Sequence, residues 1–340
     1  MHPSKEQQFA GLLHAVVARE ATEALLFSGG LDTSALALLL SRQRPFVAIT
    51  VAVSDPLYGD QSYAEAISGK LGIPNELFPS PDLWYAERLG SMLDLKHIAL
   101  RPGTEELLRI MPELIRILES FDPMQLRNSV IAFYGMMHAR RLGLASVMTG
   151  DGADEILAGY SFMYEMAQER LLEYLPHMRS IMFFSGPVMG QVLGLRVATP
   201  YLDPRILEFC SGLEFPMLVN SWNGRKMGKW ILRRAFASSL PEEIVYRVKT
   251  AIEYGSGGTM LAFRAQATIS DEELKSAQED IFKIDAVKIR DKEQLHYYRM
   301  YREIFGPPER SGTGPPCPDC GSVLKKAKSD YCYTCGAWGW

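Results

Sequence analysis

Three stretches of this chain bring together residue types suited to phosphate chemistry. The first is Leu25-Leu26-Phe27-Ser28-Gly29-Gly30-Leu31-Asp32-Thr33-Ser34, where an apolar run breaks at Ser-Gly-Gly and resumes with helical periodicity. That pattern predicts a strand, a tight turn and a helix N-terminus. Two glycines remove the Cβ atoms that would block close approach, and the first helical amides have no intrahelical acceptor, so the turn forms an anion nest. Asp32 conflicts with a phosphate unless a divalent cation lies between them, which implies Mg²⁺. The lysine of a Walker loop is missing, which argues against γ-phosphoryl transfer. The second stretch, Ser146 to Tyr160, reads Ser-Val-Met-Thr-Gly-Asp-Gly-Ala-Asp-Glu-Ile-Leu-Ala-Gly-Tyr. It is again a short buried strand and a glycine turn, with Asp151, Asp154 and Glu155 at a helix start. The third runs from Lys226 through Lys229, Leu232-Arg233, Leu240-Pro241 and Arg247-Val248-Lys249 to Gly255-Ser256-Gly257-Gly258.

Taken in this order, these stretches resemble the synthetase domain of asparagine synthetase and of β-lactam synthetase, within the ATP pyrophosphatase (PP-loop) superfamily. The resemblance covers roughly Leu12 to Gly258. Thr33 stands where the family usually has Ser, and the hydroxyl is kept. Asp122-Pro123 followed by Ala139 to Gly143 looks like the family helix leading into the second turn, and Thr199-Pro200-Tyr201-Leu202-Asp203 looks like its PFLD segment. The resemblance implies that Ser28, Gly29, Gly30, Asp32, Thr33 and Gly150 hold ATP and its pyrophosphate. It also implies that Asp32 and Asp154 bind Mg²⁺ and that Lys229 and Lys249 serve adenylation. Asp151 is a candidate to accept a proton from an attacking amine, given a pKa raised by like-charged neighbours; as a glycine-flanked Asp it is equally a helix cap.

Three departures stand out. The family commonly has an arginine two residues before the PFLD-like proline, where this chain has Ala198, with Arg196 further upstream. Some relatives carry Glu at the position of Asp151. Glutamine-dependent relatives begin with a glutaminase domain whose cysteine nucleophile follows the initiator methionine; here position two is His2 and the first core strand already starts near Leu25. The expectation is that this chain does not make its own ammonia, and that a separate glutaminase chain or free ammonia supplies it.

Four of the five cysteines form two knuckles, Cys317-Pro318-Asp319-Cys320-Gly321 and Cys332-Tyr333-Thr334-Cys335-Gly336. This is the pattern of a zinc ribbon, with four thiolates on one structural Zn²⁺; two disulfides are the alternative. Cys210, among Leu207, Phe209 and Leu213, reads as core filler.

Elements and domains must position these residues. An N-terminal helix over 1–19 presents Phe9, Leu12, Leu13, Val16 and Val17 on one face. A nucleotide-binding domain over 20–165 follows, with strands near 24 to 28, 46 to 53 and 145 to 149 alternating with helices. The fold class is therefore α/β, a parallel sheet with the ligand at the carboxyl ends of its strands. A helical, Met-rich part spans 166–305, and its Met178, Met182 and Met189 read as packing. A Pro/Gly linker over 306–316, Gly306-Pro307-Pro308 to Gly314-Pro315-Pro316, is expected to hold the ribbon of 317–340 away from the core. With 340 residues, 47% hydrophobic, a net charge of −4 and a pI near 5.9, the chain lacks a global basic footprint. It has no apolar run of membrane length and no signal peptide, and the expectation is a soluble, cytoplasmic protein without membrane partners.

The expected reaction follows. A substrate carboxylate attacks the α-phosphorus of ATP, pyrophosphate leaves, and ammonia or an amine displaces AMP from the acyl-adenylate. Two other classes stay open at this point. One is an adenylating RNA-modifying enzyme whose ribbon recruits tRNA through Lys325, Lys326, Lys328 and exposed Tyr331, Tyr333, Trp338 and Trp340. The other is a non-catalytic ATP-binding scaffold. Docking of those aromatics onto the main domain is the alternative to recruitment.

Overall fold

The computed structural model describes residues 3–54, 81–324 and 330–339. His2, Lys325, Lys326, Lys328 and Trp340 lie outside the described residues. The helix Lys5–Arg19 is started by Ser4, whose side chain accepts from the Gln7 amide while Gln7 reaches back to the Ser4 amide, a reciprocal cap. Its Phe9, Leu13, Val16 and Val17 are buried, the stripe expected from the sequence. Five parallel strands follow: β1 (Ala24–Leu26), β2 (Val47–Val51), β3 (Lys96–Leu100), β4 (Ser146–Met148) and β5 (Arg196–Ala198). Their order across the sheet is β3-β2-β1-β4-β5. β2 is buried at all five positions, Val-Ala-Ile-Thr-Val, as a strand covered on both faces must be. Two apolar clusters form the core, one packed around the helices Lys5–Arg19 and Leu31–Ser41 and the other around Thr104–Leu118, Pro123–Arg141 and Lys292–Phe305.

The sheet order reverses between β1 and β4, so the chain leaves these two neighbours in opposite directions and a crevice opens beyond their carboxyl ends. Both acidic glycine turns follow these strands. The three strands expected from the sequence are β1, β2 and β4, each somewhat shorter than expected. β3 and β5 were not expected: β3 opens with the polar pair Lys96-His97, and β5 has only three residues. Edge strands need no continuous apolar signal, because one side is left open.

The segment from 166 onward is largely helical, broken by a two-stranded hairpin of Asn220–Trp222 and Arg225–Met227. Met189 is buried and Met178 packs partly against the core, as expected for packing residues. The expectation that the ribbon stands off the core fails. Thr334 O accepts from the Phe121 amide (2.7 Å), Cys335 O accepts from Gln294 and Arg290 (2.8 and 2.7 Å), and Gly336 O accepts from Arg290 (2.7 Å). The four cysteines lie inside the second apolar cluster. A stiff linker limits how the chain bends, but these buried carbonyl acceptors decide where the ribbon sits.

Candidate functional site

In the first turn Gly29 has φ +67°, and a Cβ there would lie 2.5 Å from the Ala86 nitrogen. Only glycine meets both demands. Ser28 Oγ accepts from the Gly30 amide (3.2 Å) and bonds Thr33 Oγ1 (3.1 Å), so the two hydroxyls fix the turn from inside. Gly30 caps the helix Leu31–Ser41 without a side-chain bond, leaving the first amides to an outside acceptor. Arg247 holds the turn from behind. It donates to Gly29 O (3.1 Å), pairs with Asp82 (2.8 Å), and lies 4.1 Å over the Tyr85 ring. A cavity of about 660 Å³ opens beside it, lined among others by Tyr85, Trp222, Arg225, Tyr246 and Arg247.

The second turn packs against the first, since a Cβ on Gly150 would lie 3.0 Å from the Thr33 methyl. Gly152 has φ +94° and begins the one-turn helix Ala153–Ile156, which carries Asp154 and Glu155. Lys229 enters from the third stretch and is 3% exposed. Its Nζ lies 2.5 Å from Asp32 Oδ2 and 2.8 Å from Asp154 Oδ1, and Lys249 Nζ lies 3.0 Å from Asp154 Oδ2. Three distant segments thus supply two carboxylates and two ammonium groups to one point. The backbone is strained to do so. Ala158 (φ 55°) and Lys229 (φ 57°) are both left-handed, and the Lys229 amide is tied to Leu157 O at 2.8 Å. Beside them Gly159 is indispensable, because a Cβ there would lie 2.1 Å from Asp154 Oδ1.

The electrostatics separate the acids. Burial would raise Asp154, but Lys229 and Lys249 pull it down to about 2. Glu155 is pushed up to about 7 by burial and by the Asp154 charge, although the Tyr160 hydroxyl donates to it at 2.6 Å. Burial also raises Asp151, opposed by the Thr149 hydroxyl (2.9 Å). The like-charged neighbours expected to raise Asp151 instead act on Glu155. Burial lowers the Lys249 ammonium, and Asp154 and Asp32 more than reverse this, leaving it above its ordinary value. Asp32 Oδ1 is buried and accepts no hydrogen bond among the described residues. Two converging carboxylates with a spare oxygen suit Mg²⁺, which is ordinarily held by one or two carboxylates plus phosphate oxygens.

The asparagine synthase family model matches residues 12–191 and 187–299. This chain belongs to the asparagine synthase family. It is similar to a probable glutamine-hydrolysing asparagine synthetase of Dictyostelium discoideum, 26% identical over 310 residues, 86% of this chain and 54% of that protein. Asparagine synthetase B of Escherichia coli, also glutamine-hydrolysing, is 24% identical over 312 residues, 89% of this chain and 54% of its own. The glutamine-hydrolysing asparagine synthetase 1 of Saccharomyces cerevisiae is 26% identical over 279 residues, 73% of this chain and 48% of its own. The chain spans about half the length of the curated relatives it matches.

In this member of the family, Arg196 upstream of Ala198 does not reach the turns. That guanidinium donates to Ala21 O (3.0 Å), just before β1 and therefore at the opposite end of the sheet from the turns. The cysteine knuckles lie outside the matched segments. Cys317 and Cys335 sulfurs stand 3.6 Å apart, Cys320 and Cys332 3.7 Å, and all four lie within 4.8 Å of one another. A disulfide needs about 2.05 Å, whereas sulfurs about 2.3 Å from a central zinc sit about 3.8 Å apart on the edges of a tetrahedron. The four cysteines therefore fit one structural Zn²⁺. Gly321 and Gly336 take φ +75° and +73°, as the tight knuckle turns require, and the Asp319 amide points at Cys317 Sγ (3.4 Å). Tyr331 and Tyr333 are not exposed as the recruitment reading requires; they donate to Asp122 and to Ile181 O, leaving Trp338 exposed. Cys210 is buried in apolar surroundings, its thiol pushed up to about 12.

Several contributors escaped the sequence reading. Tyr201 donates to Asp32 O at 3.0 Å, and the Lys249 ammonium lies 5.7 Å over the Tyr160 ring. Buried Arg233 donates to Gly228 O (2.9 Å) and to Val245 O, so it ties the Lys229 segment to the strand of chain approaching Lys249. The Arg-x-Lys spacing of Arg247 and Lys249 was visible; that the arginine grips the first turn was not. Among the described residues no helix is long and apolar enough to cross a membrane.

Proposed function

We propose that this chain is an ATP-dependent ligase that adenylates a substrate carboxylate, releases pyrophosphate and forms an amide with ammonia or an amine. What carries this reading is the convergence of Asp32, Asp154, Lys229 and Lys249 at the switch point beside the Ser28–Thr33 nest. The nest and the open amides of the helix Leu31–Ser41 grip the β,γ-phosphates, with Arg247 keeping Gly29 in place. Asp32 and Asp154 would hold Mg²⁺, which neutralises phosphate charge when bound. Lys249 and Lys229 stabilise the charge that grows on the α-phosphate and the departing oxygen, so they act on the transition state. Asp151, raised by burial, takes the proton from the amine nitrogen that attacks the acyl-adenylate. The proposed divisions are a helix over 1–19, a nucleotide domain over 20–165, a helical part over 166–305, a linker over 306–316 and a zinc ribbon over 317–340. The inward-facing Tyr331 and Tyr333 favour this amide ligase over an RNA-recruiting enzyme.

Turnover with ATP is expected to yield AMP and pyrophosphate. Chromatography showing ADP as the main product would overturn the reading. Lys249→Ala is expected to lose adenylation, measured as carboxylate-dependent pyrophosphate release, while its melting temperature stays close to wild type because Lys229 still pairs with Asp154.

A further inference from the structure

We infer that the cysteine ribbon is a metal-set positioning module, which fixes the start of the helix Pro123–Arg141 and, joined to it, the segment that packs on Asp151, and leaves the pyrophosphate turn independent of it. This rests on the ligase reading only in naming the Asp151 side as the place where carboxylate and amine react. The first segment is the start of the helix Pro123–Arg141. Its cap, Asp122, is 3% exposed and accepts from the amides of Met124 and Gln125 (both 3.2 Å) and from the Tyr331 hydroxyl of the ribbon. The ribbon's approach is so close that a Cβ on Gly336 would lie 2.2 Å from Asp122 Oδ1. Thr334 O accepts from the Phe121 amide and from Ser120 Oγ (3.3 Å), and Ser120 Oγ in turn accepts from the Asp122 amide (3.1 Å). The first turns of this helix carry three buried polar atoms, Gln125 Oε1, Arg127 Nε and Asn128 Oδ1, that have no hydrogen-bond partner among the described residues.

The second segment runs from Ile181 to Gly186. The Tyr333 hydroxyl donates to Ile181 O at the end of the helix Gln168–Ile181, and the Tyr333 ring meets Phe183 edge-on at 5.3 Å between centroids. Ser185 Oγ accepts from Ser129 Oγ (2.8 Å), joining the two segments, and a Cβ on Gly186 would lie 3.0 Å from Asp151 Oδ2. One ribbon therefore clamps both segments through tyrosines that flank and separate its second pair of cysteines. A peptide of this length has too little core of its own to hold those tyrosines in place without the metal. The first turn has no such dependence, since it is fixed by Ser28, Thr33 and Arg247.

The test is hydrogen exchange on the full chain, zinc-loaded and after chelation, with MgATP affinity measured by calorimetry alongside. Chelation is expected to speed exchange in 124–129 and 182–186 by about fivefold or more, the factor that corresponds to losing one hydrogen bond of about 1 kcal/mol. Exchange in 24–34 and the affinity for MgATP should stay unchanged. Tyr331→Phe and Tyr333→Phe keep the metal and the rings. The first should loosen only 124–129 and the second only 182–186. Exchange changes confined to the ribbon, a spread to 24–34 with loss of MgATP affinity, or two silent Tyr→Phe variants would each overturn the inference. None of these outcomes bears on whether ATP is split to AMP, so the ligase reading stands or falls separately.

Discussion

Lys229 does two jobs at one atom. Its ammonium compensates two carboxylates in a site where its own side chain is 4% exposed, and its backbone is held left-handed to bring it there. Lys229→Ala removes one partner from a buried ionic group, a change that typically costs ~3–5 kcal/mol. Added Mg²⁺ is expected to raise the melting temperature of this variant more than that of wild type, because a cation at Asp32 and Asp154 replaces the lost charge; equal shifts would remove those carboxylates from the proposed metal site. Glu155 makes a second prediction at this scale. Its folded pKa near 7 lies above the ordinary 4.5, so the folded state holds the proton longer and Glu155 costs stability as pH rises from about 4.5 through 7. Thermal melts of Glu155→Gln should therefore gain on wild type across that window. Asp154 runs the other way: pulled down to about 2, its contribution is lost only as pH falls below its ordinary 3.8 toward 2.

Among the elements, the glycine turns were the most legible part of the chain. Ser28-Gly29-Gly30 and Gly150-Asp151-Gly152 each interrupt an apolar run, and each follows a strand as read. The resemblance to the family grouped Asp32, Asp154, Lys229 and Lys249, but not their order of contact; that depends on how a segment 197 positions beyond Asp32 folds back. The edge strands were illegible, and the inward turn of Tyr331 and Tyr333 was legible only as one of two open readings, for a shared reason. Both depend on partners far along the chain, and local composition carries no record of them. Gly29→Ala tests the turn directly. A left-handed residue with a Cβ 2.5 Å from backbone costs roughly 1–3 kcal/mol before any relaxation. The variant is expected to melt lower and to lose ATP binding by calorimetry, whereas wild-type affinity would remove Gly29 from the nest.

For the whole molecule, the ribbon is a brace as well as a terminal motif. A chain ending at Gly314 leaves the Phe121 amide and buried Gln294 without the carbonyls they bond, at about 1–3 kcal/mol for each buried donor left unpaired, and releases the exposed Arg290 from its two. A drop of several degrees in melting temperature is expected, and an unchanged transition would mean that these bonds are dispensable.

The Asp122 cap also sets a timetable for the chain's birth. Tyr331 and the carbonyl of Thr334 are made roughly 200 residues after the helix they finish, which at ~5–20 residues per second of translation is ~10–40 s. For that interval Asp122 caps the helix Pro123–Arg141 without the Tyr331 hydroxyl and the Thr334 carbonyl that hold the cap in the finished fold. Nascent chains stalled before the second cysteine pair would carry a nucleotide grip without a finished reaction chamber, and metal supply would then decide how quickly each new molecule is completed.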